Sequence, residues 1–168
     1  MAAIVLSVVF LFGYRAIRDF LNKGEQVAFI TFKTDLEKAV RTIASDYGSV
    51  VIYDAQHPLR VPAGYKNVCF VDMSKDPGDC AGVSALVCDV WKTARDNSAN
   101  DPLGAADSNV FLFPVSKIPI KVYKLSVDTN KNGDEDDLDK GFLCINVVSG
   151  RLDVRMEGRG DHTLISVS

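Results

Sequence analysis

The first fifty residues constrain the fold of this chain more than any other part. Residues 1–12 are apolar except for Ser7, and they lead without a linker into a segment where apolar residues recur every three or four positions up to Tyr47. That spacing predicts an amphipathic helix with one buried face. Residues 1–12 are apolar on every face, so we expect them to enter a membrane or an assembly of identical chains.

The apolar stretch is shorter than a typical membrane-spanning helix. It stops before Arg15, and Arg18 and Asp19 follow closely, whereas a spanning helix needs about 20 apolar residues. A secretory signal would carry basic residues ahead of the stretch and a small-residue cleavage site behind it. Neither is present. Two interpretations remain: a short basic leader has been lost, or the stretch packs against copies of itself.

The chain divides into three predicted parts. Residues 1–25 form a hydrophobic assembly or anchor helix, residues 26–48 form an amphipathic stalk helix, and residues 49–168 form a β-rich extracellular head. The head is long enough to bury one core. The side chains expected to mediate assembly are apolar residues of the first part: Ile4, Val5, Val8, Val9, Leu11, Phe12, Ile17, Phe20 and Leu21.

The head alternates short β-like runs with turn signals. A helix is predicted after Gly82 and a loop over Asp96–Asp107, and Ser149-Gly150 is typical of a tight hairpin. Successive strands with short turns predict a mainly antiparallel meander, with the long N-terminal helix packed on it, in an α+β fold. The predicted strands are Ser49–Tyr53, Lys66–Asp72, Asn109–Phe113, Ile118–Val127, Gly141–Val148, Arg151–Glu157 and Thr163–Val167.

The four cysteines favour an oxidising compartment. Cys69, Cys80, Cys88 and Cys144 lack the paired short spacings of a zinc site. An even number behind an apolar N-terminal segment is typical of two disulfides, with free buried thiols as the alternative. Three pairings are possible, and we expect Cys69–Cys144 across strands and Cys80–Cys88 locally.

Charge and motifs argue against nucleic-acid binding and catalysis. The chain has 19 basic and 22 acidic residues, a net charge of −3, and no basic run, whereas nucleic-acid binders carry a basic patch or stripe. Its two histidines, His57 and His162, lie in predicted loops, and no hydrolase, metalloprotease or phosphate-loop motif is present. We therefore expect no enzyme activity and interpret both histidines as surface loop residues.

The segment DTNKNGDEDDLD, residues 128–139, matches the spacing of a calcium-binding loop. Ca²⁺ prefers six to eight oxygen ligands, and alternate residues around a tight Gly133 turn would direct theirs inward. The alternative is a solvated acidic hairpin loop. The flanks read as strands and the last position is Asp instead of Glu, so the loop departs from an EF-hand. The predicted ligands of a structural Ca²⁺ are Asp128, Asn130, Asn132, Asp134 (through its carbonyl), Asp136 and Asp139.

The overall layout resembles a type IV pilin, and the archaeal kind more than the bacterial. An apolar N-terminal segment runs directly into an amphipathic helix that carries a β-rich head. Local resemblance to archaeal surface proteins of similar layout lies in Phe32–Val40, Val68–Asp72 and Arg151–Ser166. Bacterial pilins typically begin with an aromatic residue and have Glu at position five, where this chain has Met1 and Val5.

The resemblance implies a pilin-like fold and a structural role. Residues 1 to about 25 would bundle in the core of a helical filament of identical chains, after passing through the membrane during assembly. The heads would then form the outer surface of a cell-surface filament that serves adhesion or motility. The alternative is a membrane-anchored monomer or minor pilin that acts as a binding module.

Overall fold

A computed structural model describes residues 2–76, 80, 84–100, 108–116, 120–130 and 140–168 of the chain. Within these residues two helices and nine strands are found. In chain order they are α1 (Ala2–Ala44), β1 (Val50–Tyr53), β2 (Leu59–Arg60), β3 (Asn67–Val71), α2 (Ala85–Asn100), β4 (Val110–Phe113), β5 (Leu125–Val127), β6 (Phe142–Val148), β7 (Arg151–Leu152), β8 (Val154–Gly158) and β9 (Thr163–Val167).

The strands form two sheets. The first has four strands in the order β1-β8-β9-β5, and the second has five in the order β2-β7-β6-β3-β4. Among the described strands, β5 and β9 are the single parallel pair, and every other pairing is antiparallel. Most strands that are adjacent in the two sheets are far apart in sequence. The prediction of an antiparallel meander of successive strands is therefore wrong.

The C-terminal part of α1 packs against both sheets. Its buried residues follow helical spacing, which places one apolar stripe against β2, β8 and β9. The Thr163 hydroxyl at the start of β9 also donates a hydrogen bond to the Val40 carbonyl at 2.8 Å. The core-facing residues of the stripe are Phe29, Phe32, Leu36, Val40 and Ile43.

The expected fold class, a long N-terminal helix packed on a β head, is wrong. The described chain is organised around two sheets rich in antiparallel pairs, and the described side chains of α1 before Phe29, such as Arg18 and Val27, are exposed. Helical periodicity predicts a helix, but a helix packs only where an apolar surface lies opposite it. Among the described side chains of α1, burial begins at Phe29. No helix in the described part of the chain combines the length and hydropathy needed to cross a membrane.

Two predicted strands differ from the structure for tertiary reasons. The run Arg151–Glu157 is interrupted at Asp153, because β7 pairs in the second sheet and β8 pairs in the first. Within the described residues 120–127, the predicted run forms β5 and a single β-bridge between Ile120 and Val110. The Asn109 side chain forms hydrogen bonds to the backbone between them. Similarly, α2 extends into the first part of the predicted loop.

Gly158 marks the closest approach between α1 and the first sheet. Its amide donates to the Ser49 carbonyl at 2.9 Å, and its carbonyl accepts from the Gly48 amide at 2.8 Å. A β-carbon at this position would lie 2.2 Å from the Ile43 carbonyl oxygen and 2.1 Å from that of Asp46. The end of β8 can therefore meet the end of α1 only because the residue there has no side chain.

Candidate functional site

The structure contains two disulfides, Cys69–Cys144 and Cys80–Cys88, the same pairs that we expected from the sequence. Cys69 and Cys144 are direct partners in the register of β3 and β6, so their side chains point from adjacent strands to the same face. Cys80 and Cys88 connect the segment before α2 to the first turn of that helix. Disulfides persist in oxidising environments, and the two bonds indicate an extracellular or secreted protein.

The residues predicted to mediate assembly all lie in the N-terminal half of α1, between Ile4 and Leu21. The helix is continuous through this region and reaches the packed stripe without interruption. Their side chains lie outside the described part of the structure. The neighbouring side chains that are described, Tyr14, Arg15 and Arg18, are all exposed.

The structure describes only the start of the predicted calcium loop. Asp128 directly follows β5, is 1% exposed, and its amide donates to the Ile165 carbonyl at 2.9 Å. Asn130 is exposed. Among the residues that the structure describes, no three His, Cys, Asp or Glu side chains converge as a metal-binding group. The predicted ligands Asn132, Asp134, Asp136 and Asp139 lie outside the described residues.

A cavity of about 590 Å³ lies beside β5. Three segments form its walls: Asp72–Ser74 after β3, residues 121–126 that lead into β5, and the turn Asp161–His162 before β9. We call it the β5 pocket. Its lining residues include aspartates, lysines, two serines and a tyrosine, so they include both hydrogen-bond donors and acceptors.

Buried hydrogen bonds hold two walls of the β5 pocket. The Asn109 amide donates to the Val122 carbonyl at 3.2 Å and to the Tyr123 carbonyl at 3.3 Å, while its oxygen accepts from the Val122 amide at 2.8 Å. In the opposite wall, one Asp72 oxygen accepts from the Ser74 amide at 2.8 Å and from its hydroxyl at 2.6 Å. Since Asn109 and Asp72 are themselves buried, the pocket walls are pre-formed.

The turn Asp161–His162 forms the third wall. His162 Nδ1 lies 2.7 Å from Asp161 Oδ1. The hydrogen bond and charge of His162, with a smaller contribution from the Lys124 ammonium, lower the pKa of the Asp161 carboxyl below its usual value. Asp161 therefore keeps its negative charge at the rim of the pocket throughout the neutral range.

Ser126 carries a buried hydroxyl beside the β5 pocket. It is the central residue of β5 and is 2% exposed, with its neighbours Leu125 and Val127 in the hydrophobic core. Among the described residues its Oγ has no hydrogen-bond partner. Buried hydroxyls normally have a partner, so Ser126 is an exception among the described residues.

Sequence reasoning did not identify the β5 pocket. His162 lies in a loop, as expected from the sequence, and it also lines the cavity and contacts Asp161. No local motif connects these residues, because the three walls come from segments that only the sheets bring together. The other histidine, His57, lies in an exposed turn in which its amide donates to the Asp54 carboxylate at 3.0 Å.

Comparison with known proteins assigns no family or function to this chain. No protein-family model, curated protein or solved structure matches this chain.

Proposed function

We propose that this chain is a structural subunit of an extracellular, type IV pilus-like filament that polymerises through its N-terminal apolar segment and serves adhesion or motility. The observation that supports this proposal is the apolar stretch, residues 1–12, which precedes the part of α1 that packs in the core. One end of the helix is anchored in the hydrophobic core by Phe32, Leu36 and Val40. The apolar stretch lies before this anchored part in the sequence and supplies the residues expected to mediate assembly.

The energetics of the apolar stretch suit polymerisation. Burial of an apolar side chain contributes about 1.5–3 kcal/mol. The nine predicted assembly residues of each subunit would therefore hold a filament without covalent links, after insertion in the membrane before assembly.

Replacing Val8 by Asp is expected to abolish filaments while the folded domain keeps its stability. A carboxylate in an apolar bundle loses its hydration without gaining a partner, which is strongly unfavourable. Negative-stain electron microscopy of sheared cell surfaces, with mass spectrometry of the fibres, measures the first effect. The melting temperature of the detergent-solubilised chain measures the second. Val8→Ile is the matched control and should give normal fibres, whereas fibres of normal abundance from Val8→Asp would refute the proposal.

A membrane-anchored monomer or minor pilin that acts as a binding module is the second candidate. The exposed cations Arg15 and Arg18 directly follow the apolar stretch, and basic residues beside an apolar helix favour an anionic membrane surface. The same shearing experiment separates the two candidates. Recovery of the wild-type chain only in the membrane fraction, without fibres, would favour the monomer.

We propose further that residues 128–139 bind a structural Ca²⁺. The support comes from the spacing of oxygen-bearing side chains in the sequence and from the position of Asp128. Asp128 is buried directly after β5, and it occupies the first position of the predicted loop. The loop would return to the sheet at Gly141, whose carbonyl accepts a hydrogen bond from the Asp72 amide at 2.8 Å.

Calcium is expected to raise the melting temperature of the chain. At a Ca²⁺ concentration 100 times the dissociation constant, binding to the folded state contributes about 2.7 kcal/mol, which corresponds to a rise of about 5–10 °C for a chain of this length. Differential scanning calorimetry with Ca²⁺ or with a chelator measures this shift.

Two variants distinguish coordination from simple charge screening. Asp139→Ala removes a predicted side-chain ligand and should abolish the calcium-induced shift. Asp134→Ala removes an equal charge at a position predicted to ligate through its carbonyl, and should retain most of the shift. Equal responses from both variants would contradict the proposed coordination.

A further inference from the structure

We propose that β1, the open edge of the first sheet, pairs with β1 of a second copy of this chain. In the strand order β1-β8-β9-β5, β1 pairs only with β8, so the backbone groups on its other side have no strand partner. Its first three residues, Val50, Val51 and Ile52, are 44%, 37% and 48% exposed. A bare apolar edge of this kind is a template for another extended chain.

The other sheet edges in the described part of the chain are protected. All three residues of β5 are buried, and a β-bridge between Val110 and Ile120 covers part of β4. The remaining edge, β2, is two residues long and ends at the exposed Arg60. Natural edge strands avoid pairing by being very short, charged, bulged or covered. In contrast, β1 has no charged residue or proline, and it pairs with β8 in unbroken register.

The backbone groups of Val50 and Ile52 point toward the open edge. The Ser49 carbonyl accepts a hydrogen bond from the Gly158 amide, beside it in the sheet, at 2.9 Å. Successive residues of an antiparallel strand alternate in the direction of their amides and carbonyls. Val51 therefore bonds to β8, whereas the amides and carbonyls of Val50 and Ile52 face outward. A partner strand must supply an acceptor for each of these amides and a donor for each of these carbonyls.

One register between two copies of β1 satisfies all of these groups. When Val51 lies opposite Val51 of the second copy, Val50 of each chain lies opposite Ile52 of the other, and each such pair exchanges two hydrogen bonds. Opposed residues then point to the same side of the sheet, so the core-facing side of one sheet continues in the other. The pairing joins the two four-stranded sheets edge to edge about a two-fold axis at Val51.

The charges beside β1 disfavour the adjacent registers. Asp54 directly follows the strand, and Asp46 lies in the turn before it. A slip of two residues in one direction would place Asp54 opposite the apolar Val50 of the second copy, and a slip in the other direction would bring it toward Asp46. Like charges that oppose each other across strands are destabilising. In the proposed register Asp54 lies opposite Gly48, so β1 is complementary to itself.

The proposed contact closes after two chains, because a two-fold pairing uses the same edge on both of them. It is therefore distinct from contacts through the apolar stretch that would extend a filament. A single pairing of four-residue strands is smaller than a stable interface, which buries about 1,200–2,000 Å². We expect a weak, reversible association that is best measured by covalent trapping.

Disulfide trapping of the full chain in excess detergent tests the register. The four native cysteines are paired with one another, so an introduced cysteine is the only free thiol. With copper phenanthroline, Val51→Cys should form a disulfide-linked dimer, because the two Cα atoms would lie about 4.5 Å apart. Non-reducing gel electrophoresis measures the dimer.

Two further variants distinguish this register from random collision. Val50→Cys and Ile52→Cys should each remain monomeric, since equivalent Cα atoms would lie about 8 Å apart, beyond the reach of a disulfide. A mixture of these two variants should form the dimer, because Val50 of one chain lies opposite Ile52 of the other. Melting temperatures equal to that of the wild-type chain confirm that the variants are folded.

Val148→Cys is the matched control. Val148 is a strand valine that is 50% exposed, and it lies in the second sheet, outside the proposed contact. The proposal is overturned if Val51→Cys gives no more dimer than Val148→Cys, if Val50→Cys alone gives as much dimer as Val51→Cys, or if the mixed variants do not cross-link. Trapping should persist when Val8→Asp, which is expected to abolish filaments, is added to Val51→Cys, so its outcome is separate from that of the filament proposal.

Discussion

Replacing Gly158 by alanine is expected to lower the free energy of unfolding by about 3 kcal/mol, at the upper end of the usual cost of overpacking. The new β-carbon would lie 2.2 Å from the Ile43 carbonyl oxygen and 2.1 Å from that of Asp46. Both obstacles are backbone atoms and cannot rotate away as a side chain would. The end of α1 must therefore move from the sheet, which disturbs the burial of Ile43 and the hydrogen bonds of Gly158. Urea denaturation of the detergent-solubilised chain, followed by far-ultraviolet circular dichroism, measures the change.

Gly24→Ala provides the matched control for this substitution. It makes the same chemical change in a helix, and a β-carbon there meets no atom within 4 Å. Because alanine favours helix over glycine by about 1 kcal/mol, this variant should be as stable as the wild-type chain or more stable. A Gly158→Ala variant that unfolds at the wild-type urea concentration would contradict the close approach of α1 and β8.

Removing the Cys69–Cys144 disulfide by double alanine substitution is expected to cost about 4.5 kcal/mol of stability in the chain-entropy model. The bond closes a sequence separation of 75 residues, and it restrains the unfolded chain in proportion to the logarithm of that length. Both cysteines lie at the centre of the β3–β6 pairing. Guanidinium denaturation of the oxidised chain and of the Cys69→Ala/Cys144→Ala variant measures the difference.

The second disulfide supplies an internal comparison. Cys80 and Cys88 are separated by only 8 residues, so the Cys80→Ala/Cys88→Ala variant should lose about 2.5 kcal/mol by the same relation. The expected order is wild type, then the short-loop variant, then the long-loop variant. A long-loop variant at least as stable as the short-loop variant would show that loop entropy does not control the stabilising effect of these bonds.

Predictions from sequence succeeded where a signal is local. The apolar stripe of Phe32, Leu36 and Val40 is predicted by helical spacing and lies in the core, because neighbours on a helix face are three or four residues apart whatever surrounds them. Strands β1, β3, β6 and β9 lie within predicted runs for a similar reason. The continuation of α2 to Asn100 was missed, because the composition of that segment is typical of a loop.

The arrangement of the strands could not be derived from the sequence. Nothing in the run Arg151–Glu157 marks Asp153 as the point where the chain leaves one sheet for the other, and nothing in the short β5 indicates parallel pairing with β9. Such choices depend on which strands are free to pair once α1 has covered part of the apolar surface. The same holds for the β5 pocket, since Ser126 and His162 become neighbours of one cavity only after β5 and β9 align.

The sequence by itself determined the buried stripe in the C-terminal part of α1 and most of the individual strands, because each depends on residues that are close together along the chain. Only the tertiary structure decided how far α1 packs, how the strands divide between two sheets, and where the β5 pocket lies. These features depend on contacts between residues that are far apart in sequence. The energy of each contact depends on how closely the packed backbones approach one another. The close approach at Gly158 is the clearest case. Its sequence context resembles an ordinary turn, and only the nearby carbonyls of Ile43 in α1 and of Asp46 just after it make the absence of a side chain necessary.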